Sequence, residues 1–353
     1  MKCNGLQRAL GTIILCTLTL ATQAQQQAGY SLTLIGTTAS VPWEPGMIVT
    51  DINDSAEVVG QRSDSAGFTE PFIWRDGVFS KLLPLSPGED GFAVAVDDGS
   101  NVVGQFRDRD NIAHGYLRLG SGSIVEILPP HDERSVLPRD VNNQQQVLLS
   151  TTAAMGTREY LWQQGQFTLL DRHPTANSTV AERVNDQGVA IGTASFNLGR
   201  SAVLWENGML MELPRPAGSK FASGVDVSND GVALISAAVQ LPSFYEGVFL
   251  WQAGQLTELP RLPGMTSAEA LDISNGNVVV GSSFNHSRLE GAAVLWQGGA
   301  IDLNTRILSD DPLKPFVHLR RGLMINDNGF IVADGIDSRD TGDRRGFYLL
   351  TPR

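Results

Sequence analysis

One short phrase recurs seven times along this chain, and it limits the folds available more than any other feature. It reads Ile52-Asn53-Asp54, Val96-Asp97-Asp98, Val141-Asn142-Asn143, Val184-Asn185-Asp186, Val227-Ser228-Asn229, Ile273-Ser274-Asn275 and Ile325-Asn326-Asp327. Successive copies lie 44, 45, 43, 43, 46 and 52 residues apart by subtraction. Each pairs a β-branched residue, stiff and suited to a strand, with Asn, Asp or Ser, whose side chains bend the backbone into a turn. A second apolar segment follows every copy, as in Val58-Val59-Gly60, Val102-Val103-Gly104 and Val278-Val279-Val280-Gly281. Its unbroken apolar run is the mark of a strand covered on both faces.

A third segment carries Trp74, Trp162, Trp205, Trp251 and Trp296, with Arg118 and Leu349 read as its counterparts in the second and seventh copies. Gly77, Gly165, Gly208 and Gly254 then turn the chain into a fourth segment, as a tight hairpin requires. Four short strands in a period of about 45 residues describe a β-propeller blade. The expected fold is therefore all-β: a seven-bladed β-propeller of four-stranded antiparallel blades, forming one domain over residues 25–353.

The fourth segments hold an apolar pair three apart, such as Phe79 and Leu82, or Phe167 and Leu170, an offset that fits a bulged or twisted outer strand. The seventh copy lacks this segment, while Leu32 and Ile35 near the start of the chain have the same spacing. The N-terminal strand, about residues 30–36, is thus expected to complete the last blade and close the ring.

Lys2 and Arg8 precede an apolar run from Ile13 to Leu20, followed by small residues up to Ala24. This is the pattern of a secretory signal peptide, residues 1–24, too short in its apolar part to span a bilayer. Export to the periplasm or beyond follows. Both cysteines, Cys3 and Cys16, fall inside that leader, so the mature chain contains no disulfide or thiol nucleophile. Removing two cations takes the formal charge from −12 to −14, which argues against nucleic acid and anionic lipid as partners.

The phrase Val184-Asn185-Asp186-Gln187-Gly188, its copy Ile325-Asn326-Asp327-Asn328-Gly329, and the end Phe347-Tyr348-Leu349-Leu350-Thr351-Pro352 together resemble the HAF-type probable extracellular repeat proteins. Ala113-His114-Gly115-Tyr116-Leu117 is the nearest match to that family's His-Ala-Phe segment. The resemblance implies bacterial export and a propeller-like fold, and it implies no activity.

Candidate site residues come from the face where the longer connections gather. They are Arg107, His114, His131, Arg158, His173, Arg200, Tyr245, His286, Arg288, His318 and Arg320. Imidazoles there offer acid, base or ligand groups, and guanidiniums offer clamps for carboxylates. The bland reading is that acidic neighbours in the same loops screen them. Asp51, Asp140, Asp226 and Asp272 share one column near the expected channel, interrupted by Ala95, Arg183 and Met324, and read as turn-bonding groups. The insertion from Thr305 to Arg321 is expected to overhang the channel mouth. No zinc spacing, nucleotide loop or EF-hand loop occurs, so neither a metal nor a cofactor is expected. The reading that results is a monomeric binding or scaffold propeller for a protein or glycan. The alternative is a polysaccharide lyase or glycoside hydrolase working at the channel mouth.

Overall fold

The computed structural model describes residues 29–38, 46–63, 67–83, 90–108, 112–131, 133–153, 156–240, 243–285, 291–340 and 345–353. The signal-peptide segment, His286 and Arg288 lie outside these residues. Among the described residues twenty-eight strands form seven four-stranded antiparallel units. Blade 1 runs through Met47–Ile52, Val58–Ser63, Thr69–Arg75 and Val78–Lys81, and five further blades repeat this meander. Blades 4 and 5 also share a single parallel bridge, Arg200 to Phe221.

Blade 7 takes three strands from the C-terminal end, Val317–Ile325, Ile331–Asp337 and Arg345–Pro352, and its outer strand from Tyr30–Thr37. That closing strand pairs antiparallel from Tyr30 opposite Pro352 to Thr37 opposite Gly346. Leu32 and Ile35 are buried by it, as their spacing promised.

The second strands are the most enclosed parts of the molecule. Val58, Val102, Val147, Ile191, Ala233, Val279 and Ile331 have essentially no exposed surface. Their unbroken apolar runs pack against two neighbouring blades at once, where an alternating strand would bury a polar face. The Trp column packs there too, and Trp205 and Trp296 each donate an indole N–H, at 2.7 Å, to a carbonyl of the preceding blade's exit, Asp171 and Pro260. In blade 7 the register places Leu350 rather than Leu349 in this column, because Ile331 lies opposite Leu350 as Val58 lies opposite Trp74.

The bulge expected in the outer strands occurs in the closing strand of blade 7, whose register shifts between Leu34 and Gly36 beside Ile35. Outer-strand pairing in blades 1 to 6 runs without a shift, and Leu82, Leu170 and Leu213 reach the core just past the strand ends, where the chain crosses to the next blade. Every inner strand shares one bulge, just before Asp51, Ala95, Asp140, Arg183, Asp226, Asp272 and Met324, and those of blades 3, 5 and 7 have a second shift nearer their start. A bulge re-aims the side chain that follows it. It also drives a carbonyl against the second strand, so that a Cβ at Gly60 or Gly104 would collide with the oxygen of Ile48 or Phe92. The Gly of the Val-Val-Gly phrase is explained by that approach.

Candidate functional site

The two ends of the ring are chemically unlike. At the end where strands one and two are joined, the recurring phrase makes three tiers of bonds between blades. In the first, the backbone N–H of Asp54, Asp98, Asn143, Asp186, Asn229, Asn275 and Asp327 each donates to the Oδ1 of the corresponding residue of the next blade, at 2.6–2.9 Å. The last of these runs from Asp327 back to Asp54, so the circuit is closed. Carboxamide N–H groups of Asn143, Asn229 and Asn275 also donate to carboxylates beside them. Between Asp327, Asp54 and Asp98 no carboxamide intervenes; burial first, and then these like charges, raise the pKa of Asp54.

In the second tier Asn53, Asn142, Asn185 and Asn326 donate a side-chain N–H to a carbonyl of the next blade, at 2.7–3.0 Å. Their Oδ1 atoms meanwhile accept amides of their own turns. In the third, Asp51, Asp140, Asp226 and Asp272 each accept the N–H of the following residue on Oδ1 and an N–H of the next blade on Oδ2, at 2.7–3.2 Å. The carboxylates are therefore staples across blade seams, and the inner-strand bulge is what turns them there.

Arg183, which looked like an interruption of the Asp column, is the counter-charge for it. Burial works against its charge, but Asp140, Asp226, Asp51 and Asp272 outweigh that and hold the guanidinium protonated. One cation faces four carboxyls, and burial pushes Asp51 up to about 6 and Asp140 up to about 7. Asp272 is raised as well, by burial and by the adjoining Asp226. These groups line a polar recess of about 170 Å³ at this mouth.

The opposite end, hereafter the wide face, carries the sequence-selected residues, several of them in strand ends rather than loops. His114 lies in strand Ala113–Arg118, stacked on Phe106 and bonded to Glu126 at 2.8 Å and Asp108 at 3.1 Å. Burial opposes its charge, but the two carboxylates prevail and raise its pKa. Arg158 pairs with the buried Glu133 at 2.6 Å, and that carboxylate also accepts from Thr151 and Tyr160. His173 reaches Glu212 at 3.3 Å and meets Phe196 edge-on. Tyr245 donates to Glu258 and lies under Arg261. His131 is an exposed turn residue with positive φ, Arg107 ends strand Val102–Arg107, and Arg200 is exposed at the bridge to blade 5.

His318 and Arg320 stand in the inner strand of blade 7, His318 against the Gly291 carbonyl at 3.2 Å. Arg320 shares a recess of about 180 Å³ with Arg321, Arg345 and Glu269. Beyond this recess the selected residues are spread over blades 2, 3, 4 and 5, and His114, Arg158, His173 and Tyr245 bond within their own blade or to the adjoining one.

The insertion does not overhang the channel. It lies along the closing strand: Leu308 N–H donates to the Tyr30 carbonyl at 3.0 Å, and buried Asp311 accepts Leu32 N–H at 2.7 Å. Leu303 and Ile307 bury beside Tyr30 and Leu32 in one apolar cluster, so the insertion covers an edge that would otherwise stay open. The long gap before the seventh copy signalled an insertion but not which edge it covers.

These features define a β-propeller, and the comparisons with solved structures agree. The chain is similar to virginiamycin B lyase from Staphylococcus aureus, with 11% identity over 91% of this chain and 100% of that one and a TM-score of 0.54. It is similar to the propeller domain of the Trilobed protease from Pyrococcus furiosus, with 9% identity, 92% and 97% coverage and a TM-score of 0.54. A puromycin-hydrolysing peptidase from Mycobacterium tuberculosis aligns with 10% identity over 89% of this chain and 52% of that one, at a TM-score of 0.53. Identities this low carry the fold alone. No protein-family model matches the sequence, and no curated protein matches it.

Proposed function

We propose that this chain is an exported, monomeric, non-catalytic propeller of the HAF-repeat type that holds a polypeptide partner on its wide face. The observation that carries this reading is where exposed apolar side chains gather. Among the sixteen large apolar residues exposed in the described parts, those at wide-face strand ends and connections, including Ile48, Phe68, Ile112, Leu128, Leu198, Phe221 and Phe244, outnumber those at the other end, where Val78, Ile124 and Met209 begin outer strands. Apolar groups left in water beside Arg and Tyr are the usual composition of a protein-binding surface. A glycan would instead want aromatic platforms flanked by free polar groups, and the wide-face ions are largely paired with one another.

The reading is tested by placing a photo-crosslinking amino acid at Leu198, Phe244 or Val78 in the full chain expressed in an exporting bacterium. A discrete adduct is expected from the first two positions and not from Val78. It should vanish when Phe221 and Ile48 are changed to Glu. Equal adducts from both ends, or adducts indifferent to those charges, would sink it. N-terminal sequencing of the exported product, with Gln25 first, checks the leader.

A further inference from the structure

The residue three before the Trp column in the third strand is Pro71, Gly115, Glu159, Ala202, Val248, Ala293 and Phe347 in blades 1 to 7. Six blades put an apolar residue or Gly there, and blade 3 alone puts a carboxylic acid. Glu159 is 5% exposed. Its Oε2 accepts the Ser150 hydroxyl at 2.8 Å, while its Oε1 has no hydrogen-bond partner. A buried carboxyl left half-satisfied is costly, and an apolar side chain would serve packing better.

Beside it lies a cavity of about 270 Å³ at the seam of blades 3 and 4. Its lining combines aliphatic groups, Ala153, Leu169 and Leu170, with the hydroxyls of Thr157 and Thr179. Arg158, Asp171 and Arg172 also line it; Arg158 is neutralised by Glu133, Arg172 donates to the Asn177 carbonyl, and Asp171 is a second carboxylate in the wall.

We infer that this cavity binds a primary ammonium on a short aliphatic stem, the chemistry of a lysine side chain, with Glu159 as its anionic acceptor. The aliphatic lining suits a methylene chain, and no aromatic ring stands there to stack a sugar. A net charge of −12 favours a cationic visitor. The volume, near the lower bound of about 300 Å³ for small-molecule sites, suits a single side chain.

The charge state of Glu159 is consistent with this. Burial raises its pKa to about 7, against the Ser150 hydroxyl, Arg139 and the Ala181 amide, and Glu182 adds to the rise. Near neutrality the carboxyl is thus partly protonated, and an arriving ammonium displaces that proton into solvent as the ion pair forms. The cavity opens on the wide face, so the inference rests on the reading above for the polypeptide that carries the amine, and its test does not need that polypeptide.

The test is calorimetric titration of the full mature chain at pH 6.5 with N-acetyl-lysine methylamide. The norleucine analogue, which lacks the ammonium, is the control. The lysine compound should bind at least tenfold more tightly than the norleucine one, with a heat that changes between two buffers because a proton is released. Glu159→Ala should abolish this preference and melt no lower than the parent, because Ala202 and Ala293 already fill the same place in blades 4 and 6.

Equal binding of both compounds, no saturable binding of the lysine compound, or binding that survives Glu159→Ala would overturn the inference. So would a melting point several degrees lower in that variant, which would make the carboxyl a seam-holding group. The crosslinks at Leu198 and Phe244 report separately on the wide-face reading, and their loss leaves the calorimetry untouched.

Discussion

The end where strands one and two are joined, hereafter the narrow end, and the opposite, wide end of this propeller use similar residue types to opposite effect. At the narrow end nearly every Asp and Asn of the recurring phrase bonds a neighbouring blade, and the same bonds recur seam after seam. At the wide end the ionic groups bond mostly inside one blade, as Arg62 does with Glu70 at 3.0 Å and Arg261 with Glu258 at 3.0 Å. Blades 4 and 5 share one such pair, Glu212 with Arg215 and Glu258 with Arg261, but blades 1, 2 and 7 each pair other residues. Periodic polar residues hold the ring together, and aperiodic ones are free to differ because the fold does not depend on them.

Variants that attack the two ends should separate in size. Removing residues 25–37 deletes the closing strand, its ladder to Arg345–Pro352 and the buried Leu32 and Ile35. The expected result is loss of a cooperative thermal transition, followed by circular dichroism, because ladder bonds at about 1 kcal/mol each and two buried aliphatic groups at about 1.5–3 kcal/mol each rival a domain's net stability.

Next in size is Arg183→Met, which leaves four channel carboxyls without their cation. The loss should be about 3 kcal/mol in urea unfolding at pH 8, and less than half of that at pH 5. The sign follows from the raised pKa values of Asp51 and Asp140, about 6 and 7. The native state binds more protons than the unfolded one, so their contribution is full below about pH 4. It is lost as pH rises through 6 and 7, when the charges appear. A pH-independent loss would show that Arg183 acts by packing alone.

Asp54→Asn should instead stabilise, by about 0.5–1 kcal/mol at pH 7, since a carboxamide between Asp98 and Asp327 relieves like charges. The gain should disappear at pH 3 in the same unfolding measurement. The smallest effect belongs to the wide end. Arg62→Ala removes a pair whose side chains are 39% and 25% exposed, and should cost under about 0.5 kcal/mol. A cost near that of Arg183→Met would erase the distinction between the ends.

The parts legible in the sequence were those that repeat. The seven phrases, the doubly covered second strands and the displaced outer strand at Leu32 and Ile35 all stand where their spacing put them. The inner-strand bulge was not legible, because nothing in Val49-Thr50-Asp51 distinguishes a bulge from a regular strand. Without it the Asp column read as turn-bonding and Arg183 as a defect, when only the re-aimed geometry brings them together. Glu159 was legible in principle, by comparing the seven residues of one column, but it hides next to Arg158, whose charge makes it look like an ordinary surface pair. The insertion was misplaced because length alone does not say which edge a loop will cover, and Asp311 reveals its target only through its bond to Leu32.

The circle of Asp54, Asp98, Asn143, Asp186, Asn229, Asn275 and Asp327 has a parity problem. Acceptor-only carboxylates and donor-bearing carboxamides satisfy one another best when they alternate, and strict alternation around a circle needs an even number of members. Seven is odd, so at least one like pair is unavoidable whatever the sequence. Here the like charges fall at Asp327-Asp54-Asp98, beside the junction where the last blade meets the first, and one further like pair, of two carboxamides, falls at Asn229-Asn275. A relative with six or eight blades would be free of that constraint, so mismatches in this circle become a mark of odd symmetry readable from sequence.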